Sequence, residues 1–286
     1  MQARKLLVTT DLTEISDIAT EYATGLALQL DIKEIVLLNL LIPSEMQITA
    51  ATGGAYYPPN HATQTLNDVL FDKRKSLVEK QAERFVKPGI ALKPIVEVNH
   101  AKSDINHFMN KYQAGLLVTG SHDKFSFMEI LLGSETEKMI RKTDYPMIVL
   151  TDEPISACID NIVLAVDVAL DDEQQRGIES IIEFADALNA HLQLLYVITD
   201  DEISATEAIE RLDQLAKHNN IRNYSINTME NSSLESAIRI FSRKNRPDMI
   251  ALLNQGKGKL HNLIYGSDTV GVISETDLPV FVARSV

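Results

Sequence analysis

The 286-residue chain is poor in the features that announce a function most directly. Its single cysteine, Cys158, excludes an internal disulfide and any multi-cysteine metal site. No activating neighbour stands near it in sequence, so a catalytic thiol is not expected. Lys and Arg form no run long enough for a nucleic-acid footprint, and the net charge of -13 argues against nucleic acid as a partner. From Met1 to Asp11 the apolar stretch is broken too early for a signal-peptide core or a membrane span. A cytoplasmic protein without a membrane partner is therefore expected. His100 and His107 lack a third ligand at sensible spacing, and no nucleophile elbow is present. Neither a metal site nor a catalytic residue is assigned.

What the chain does have is an internal repeat. Val118-Thr-Gly-Ser-His-Asp-Lys-Phe-Ser-Phe-Met-Glu-Ile-Leu-Leu-Gly-Ser134 and Ala251-Leu-Leu-Asn-Gln-Gly-Lys-Gly-Lys-Leu-His-Asn-Leu-Ile-Tyr-Gly-Ser267 share one layout. Gly133 and Gly266 lie 133 residues apart, and so do Pro146 and Pro279 in the following Thr-Asp-x-Pro turns. A chain of this length exceeds the ~150 residues of a typical domain, so two domains are expected, at 1–152 and 158–286. The linker runs from about Thr151 to Asp160. Hydrophobic residues at 45% and charged residues at 23% allow each half its own core.

Within each half, short apolar runs alternate with segments of helical period. The first half predicts strands at Lys5–Thr9, Ile35–Leu40, Pro94–Val98, Leu116–Thr119 and Met147–Leu150. The second predicts them at Ile162–Val166, Leu192–Val197, Tyr224–Thr228, Met249–Leu253 and Val280–Ala283. Ile15, Ile18, Tyr22, Leu26 and Leu30 mark one helix face, and Leu66–Phe85, Asp104–Tyr112 and Ser134–Arg141 fill the other gaps. Ser134 with Glu137 has the spacing of a capping box. Strand–helix–strand order implies parallel pairing with right-handed crossovers, so the fold class is α/β, with two doubly wound parallel-sheet sandwich domains in tandem.

Asp11 and Asp167, each after a first strand, are 156 rather than 133 residues apart. The first half thus carries 23 extra residues, placed near 43–65 around Thr52-Gly-Gly-Ala-Tyr-Tyr-Pro-Pro-Asn60. This insertion reads either as a surface loop or as a lid in which Tyr56 or Tyr57 stacks on a base.

In a doubly wound sheet, ligands sit outside the carboxyl ends of the strands where the winding reverses. Asp11, the loop from Gly120 and a helix starting at Ser134 then converge. A carboxylate suits ribose hydroxyls, glycine permits close backbone approach, and a helix N-terminus offers N–H groups to an anion. In the alternative, the glycines are turns and caps, and Asp11 or Asp167 caps the following helix. His122 in this loop reads as solvated.

On these residues the chain resembles a tandem universal stress protein, a family of adenine nucleotide alpha hydrolase-like fold. Its nucleotide-binding members carry an aspartate after strand one and Gly-x2-Gly-x9-Gly-Ser/Thr after strand four. Asp11, Gly120, Gly133 and Ser134 match in the first half, with Asp123 in place of the second glycine. In the second, Asp167, Gly256, Gly266 and Ser267 match, with Leu253 in place of the first. The resemblance implies an adenine nucleotide, ATP foremost, with Mg as a companion ion. Thr10, Leu40 and Val197 join the candidate contacts. Asp123 sets a negative charge beside a polyphosphate, whereas Lys257, Gly258 and Lys259 add positive charge and backbone freedom, so the second site is preferred.

The resemblance also implies a stress-associated regulatory module without dedicated catalysis. Two other classes stay open. One is a nucleotide-free module recruiting a still unknown protein partner. The other is a slow ATP hydrolase, which would need a metal and a positioned water. No Ser-Gly-Gly run of adenylate-forming relatives follows either first strand. The last strands of the halves are expected to dock on one another as an internal pseudo-dimer, and a homodimer is a further option.

Overall fold

The computed structural model describes residues 5–41, 61–98, 105–120, 143–150, 156–166, 172–198, 203–231, 234–254 and 277–284. In chain order the first half contains β1 (Lys5–Thr9), α1 (Glu14–Gln29), β2 (Glu34–Leu41), α2 (His61–Phe85), β3 (Ala91–Val98), α3 (Ile105–Tyr112), β4 (Leu116–Gly120) and β5 (Met147–Leu150). The second contains β6 (Asn161–Ala165), α4 (Asp172–Leu188), β7 (His191–Ile198), α5 (Ala205–His218), β8 (Tyr224–Glu230), α6 (Leu234–Asn245), β9 (Met249–Asn254) and β10 (Val280–Arg284).

Every predicted strand is present, most of them one or two residues longer than their apolar core. The largest extension is β3, which begins at Ala91 and so contains Pro94. Proline cannot donate to a ladder, but among the described residues β3 is an edge strand that pairs with β2 alone, so its missing N–H costs little. α2 starts at His61, five residues earlier than its apolar periodicity shows. The last residues of the 43–65 insertion are thus helical, and the rest of it, including Tyr56 and Tyr57, lies outside the described residues.

The ten strands among the described residues form one sheet in the order β3-β2-β1-β4-β5-β10-β9-β6-β7-β8. Each half is parallel within itself. The halves join where β5 and β10 run antiparallel, with Phe281 opposite Ile148 and Val280 opposite Val149. Register repeats across the duplication: Leu7 pairs with Leu117 and Val163 with Ile250, while Gly120 pairs with Leu150 and Leu253 with Ala283.

Alternation of side chains along the strands divides the core into two layers. Leu6 and Val8 of β1 face α1 and α2, and Ile162 and Leu164 of β6 belong to the same layer with α4 and α5. Leu7, Val163 and Ile250 face the other way, toward α3 and α6. Phe184 of α4 stacks on Phe281 of β10 with centroids 4.5 Å apart, so a helix of the second half covers the seam. Both rings are fully buried.

Candidate functional site

The winding direction reverses between β1 and β4, so their carboxyl ends open one crevice. The hydroxyls of Thr9 and Thr119, 2.8 Å apart, tie the two ends together. Directly after β1 the chain turns into α1 through Leu12, whose φ of 70° lies in the left-handed region that a branched side chain seldom adopts. A side-chain lattice holds that turn. Thr10 Oγ1 accepts from the Leu12 amide at 3.0 Å, donates to Gln81 Oε1 at 2.8 Å and lies 2.9 Å from Ser16 Oγ. Gln81 Nε2 in turn donates to Asp17 Oδ1 at 2.7 Å, and the other Asp17 oxygen pairs with Arg84. Thr10, Ser16 and Gln81 are all buried.

Asp11 stands at the mouth of the crevice, exposed, with Oδ1 accepting from both the amide and the hydroxyl of Thr13. One carboxylate oxygen is thus already engaged in starting α1. The first turn of that helix carries Glu14 and Asp17. These charges complement the helix dipole.

Gly120 closes β4, and its lack of a side chain has a packing cause. A Cβ there would meet Ile15 Cγ1 at 2.6 Å and the Ile15 carbonyl oxygen at 2.9 Å. Its backbone is not among those with positive φ. Glycine at this position therefore lets the first turn of α1 descend onto the end of β4. At the equivalent register of the second half, Leu253 is 2% exposed and sits in the layer with α4 and α5. The bulk that Ile15 supplies from a helix in one half comes from a strand in the other. Leu253 is thus a core residue, and its side chain points toward the helical layer.

Leu40 and Val197 occupy matching positions on β2 and β7, both against the layer of α3 and α6. Leu40 is half-buried and Val197 buried. Gly133, Ser134, Asp167, Gly256, Lys257, Gly266 and Ser267 lie outside the described residues, as do Asp123, His122, His100 and the Ser134–Glu137 cap. The structure brings together Thr10, Asp11 and Gly120, with Leu40 on the neighbouring strand. His107 packs edge-on against Phe108, centroids 5.2 Å apart.

Two residues of the crevice wall are not evident from the sequence pattern. Asn39 on β2 donates from Nδ2 to the Thr10 carbonyl at 2.7 Å, and its buried Oδ1 has no partner among the described residues. Gln81 lies at helical spacing with buried Val78 and beside Ala82. A polar residue inside an apolar strand, or on an apolar helix stripe, is the available signal for both. Among the described residues no helix is long and apolar enough to cross a membrane.

A doubled, doubly wound α/β chain with a crevice at the strand ends defines a class of tandem α/β modules. The model of the universal stress protein family matches residues 2–151 and again 159–284, and the chain belongs to that family, as a tandem member. It is 25% identical over 153 residues to a universal stress protein of Methanocaldococcus jannaschii, covering 51% of this chain and 94% of the relative. A solved universal stress protein from Archaeoglobus fulgidus is similar across both halves, with a TM-score of 0.72, 18% identity, and 98% and 96% of the two chains covered. A putative universal stress protein from Pseudomonas aeruginosa gives a TM-score of 0.58 at 15% identity, over 99% of this chain and 94% of its own. At these identities the likeness of the two structures speaks for the fold.

Proposed function

We propose that the protein is a stress-associated regulatory module that binds an adenine nucleotide in at least one of its two units, 1–152 and 158–286, without dedicated catalysis. ATP is the first candidate, with Mg as its companion. The observation that supports this most directly is the crevice between β1 and β4, where the winding reverses and Thr10, Asp11 and Gly120 gather. Equal register gives β6 and β9 the same arrangement in the second half.

The second unit is the stronger candidate. Its sequence offers Asp167 for ribose, Gly256, Lys257, Gly266 and Ser267 for phosphates, and Val197 for the base. In the first unit Leu40, Gly133 and Ser134 complete the set, but one Asp11 oxygen already serves the α1 turn, and the space at Gly120 is filled by Ile15. These two features favour a first unit that is silent toward nucleotide and works through protein contacts. The antiparallel join of β5 and β10 supports a pseudo-dimer contained in one chain. Its setting is the cytoplasm, which suits a single cysteine that is exposed and not in a disulfide.

Mass spectrometry of small molecules released from freshly purified protein tests the proposal. An adenine nucleotide should be recovered, ATP should raise the melting temperature, and Gly266→Val should abolish both effects. Absence of any shift with ATP, ADP, AMP or cyclic AMP overturns it. Phosphate release lost in Ser267→Ala would instead mark a slow hydrolase.

A further inference from the structure

Among the described residues the sheet ends in two edge strands, β3 and β8, and the two edges are built differently. At β3 the Ala91 amide donates to the Lys33 carbonyl at 2.7 Å, so Ala91, Lys93, Ile95 and Glu97 turn their backbone groups toward β2. Pro94 therefore belongs to the outward row, where it withholds a donor from any added strand, and Lys93 beside it adds a charge. Proline and lysine are the usual means by which an edge avoids further pairing.

β8 has neither. The Leu192 amide donates to the Asn223 carbonyl at 2.9 Å, and the Asn231 amide to the Ile198 carbonyl at 3.1 Å, so the odd-numbered residues of this strand serve β7. Tyr224, Ile226, Thr228 and Glu230 point their N–H and C=O groups the other way, where no strand stands among the described residues. From Tyr224 to Met229 the strand carries no proline and no charge. Those six residues are all half-buried, whereas the neighbouring β7 is mostly buried. An aromatic and two β-branched residues in the outward row suit a cross-strand partner.

α5 borders the same edge. Asp213 Oδ1 accepts from the Tyr224 hydroxyl at 3.0 Å, which turns that side of α5 toward the edge strand. Ile209, one turn earlier on the same side, is 44% exposed. A crossover helix runs antiparallel to its strands, so four residues back along α5, about 6 Å, match two residues forward along β8, about 7 Å. Ile209 is thus level with Ile226. Arg222 and Glu230 lie four residues to either side of Ile226. Both are exposed, and neither has an ion pair among the described residues.

We propose that β8 docks on β8 of a second copy of this chain, antiparallel, about a two-fold axis at Ile226. In that register Ile226 stands opposite Ile226, Tyr224 opposite Thr228 and Arg222 opposite Glu230 of the other copy, and symmetry makes each unlike pair twice. Tyr224, Ile226 and Thr228 all belong to the outward row, so these pairs exchange N–H···O bonds in both directions. The two α5 helices fall on one face of the extended sheet, and their Ile209 side chains approach across the axis. Self-complementary charge is what selects a second copy as the occupant: an antiparallel β8 answers Arg222 with Glu230 at both ends.

The test is sedimentation velocity of the full chain over a wide concentration range at physiological salt, where a Debye length of about 8 Å screens the repulsion of two acidic copies. A monomer–dimer equilibrium should be seen. Arg222→Glu alone, or Glu230→Arg alone, sets like charges opposite each other at both ends and should raise the dimer Kd roughly tenfold. The double variant Arg222→Glu, Glu230→Arg should restore it, since the exchanged charges again oppose. Thr228→Pro removes an N–H that β7 does not use, so it should leave a monomer with the circular dichroism of the parent. A chain that is monomeric at every concentration overturns the proposal. So does a dimer that the single reversals leave intact, or one that the double reversal fails to restore.

Discussion

Gly120→Ala adds one methyl group at the end of β4, and its consequence follows from two distances. The new carbon would lie 2.6 Å from Ile15 Cγ1 and 2.9 Å from the Ile15 carbonyl oxygen. Ile15 is 3% exposed, with little room to rotate away, while the carbonyl belongs to the first turn of α1. Relief therefore requires moving that turn, which the Thr10, Ser16 and Gln81 hydrogen bonds hold in place. Overpacking of this kind costs about 1–3 kcal/mol. For a unit of roughly 150 residues that is a fall of about 4–8 °C in melting temperature at the middle of the range. Urea denaturation followed by circular dichroism measures the loss directly. In a Gly120→Ala, Ile15→Ala double variant the Cγ1 clash is gone but the carbonyl contact stays, so part of the loss should return as a coupling of about 1 kcal/mol. A Gly120→Ala protein within about 0.5 kcal/mol of the parent, the spread of an ordinary surface change, would refute the packing account. At Leu253 the volume change is opposite but the direction is the same: Leu253→Ala empties a filled site and should cost about 2–5 kcal/mol.

Phe281→Ala removes a fully buried ring stacked on Phe184 at the seam of the two halves and should cost about 3–5 kcal/mol, seen as a lower urea midpoint. A loss under about 1 kcal/mol would mean the seam does not depend on that stack. The Glu34 carboxyl is held below its ordinary range by hydrogen bonds from Lys5 and then Lys93, both at 2.8 Å. Its native form binds fewer protons than the unfolded one, so its contribution is present above the unfolded carboxylate range, roughly pH 4.3, and is lost as pH falls through the lower folded value. Because these side chains are partly exposed, Glu34→Gln should flatten the acid limb of stability by under about 1 kcal/mol, read from urea midpoints at neutral and acidic pH. An unchanged acid limb would show that the pair contributes nothing.

Much of this molecule is legible in one dimension because its signals are local. Nearly continuous apolar runs such as Ile35-Val-Leu-Leu38 mark strands buried on both faces, and the constant spacing of Gly-Ser and Thr-Asp-x-Pro marks the duplication. Elements that end in polar residues are harder to bound. α2 begins in His61-Ala-Thr-Gln-Thr65, which carries no apolar period, and β3 extends before Pro94 because an edge position forgives the proline. Thr10 and Asp11 can be placed at the crevice from their position after an apolar strand. Their hydrogen bonds cannot all be read that way, since Gln81 arrives from 71 residues away in sequence.

The sequence by itself determined the α/β class, the repeat, the strand positions and the family, because periodicity and spacing are properties of neighbours along the chain. Tertiary structure alone shows what Gly120 packs against. Read as a motif it is a phosphate glycine; in the fold its hydrogen faces Ile15, a residue whose approach depends on how α1 crosses the sheet. The same holds for Leu253 and for the ten-stranded sheet of the described residues. Each depends on contacts between segments distant in sequence, and the crossing geometry that makes those contacts is fixed only when those segments pack together.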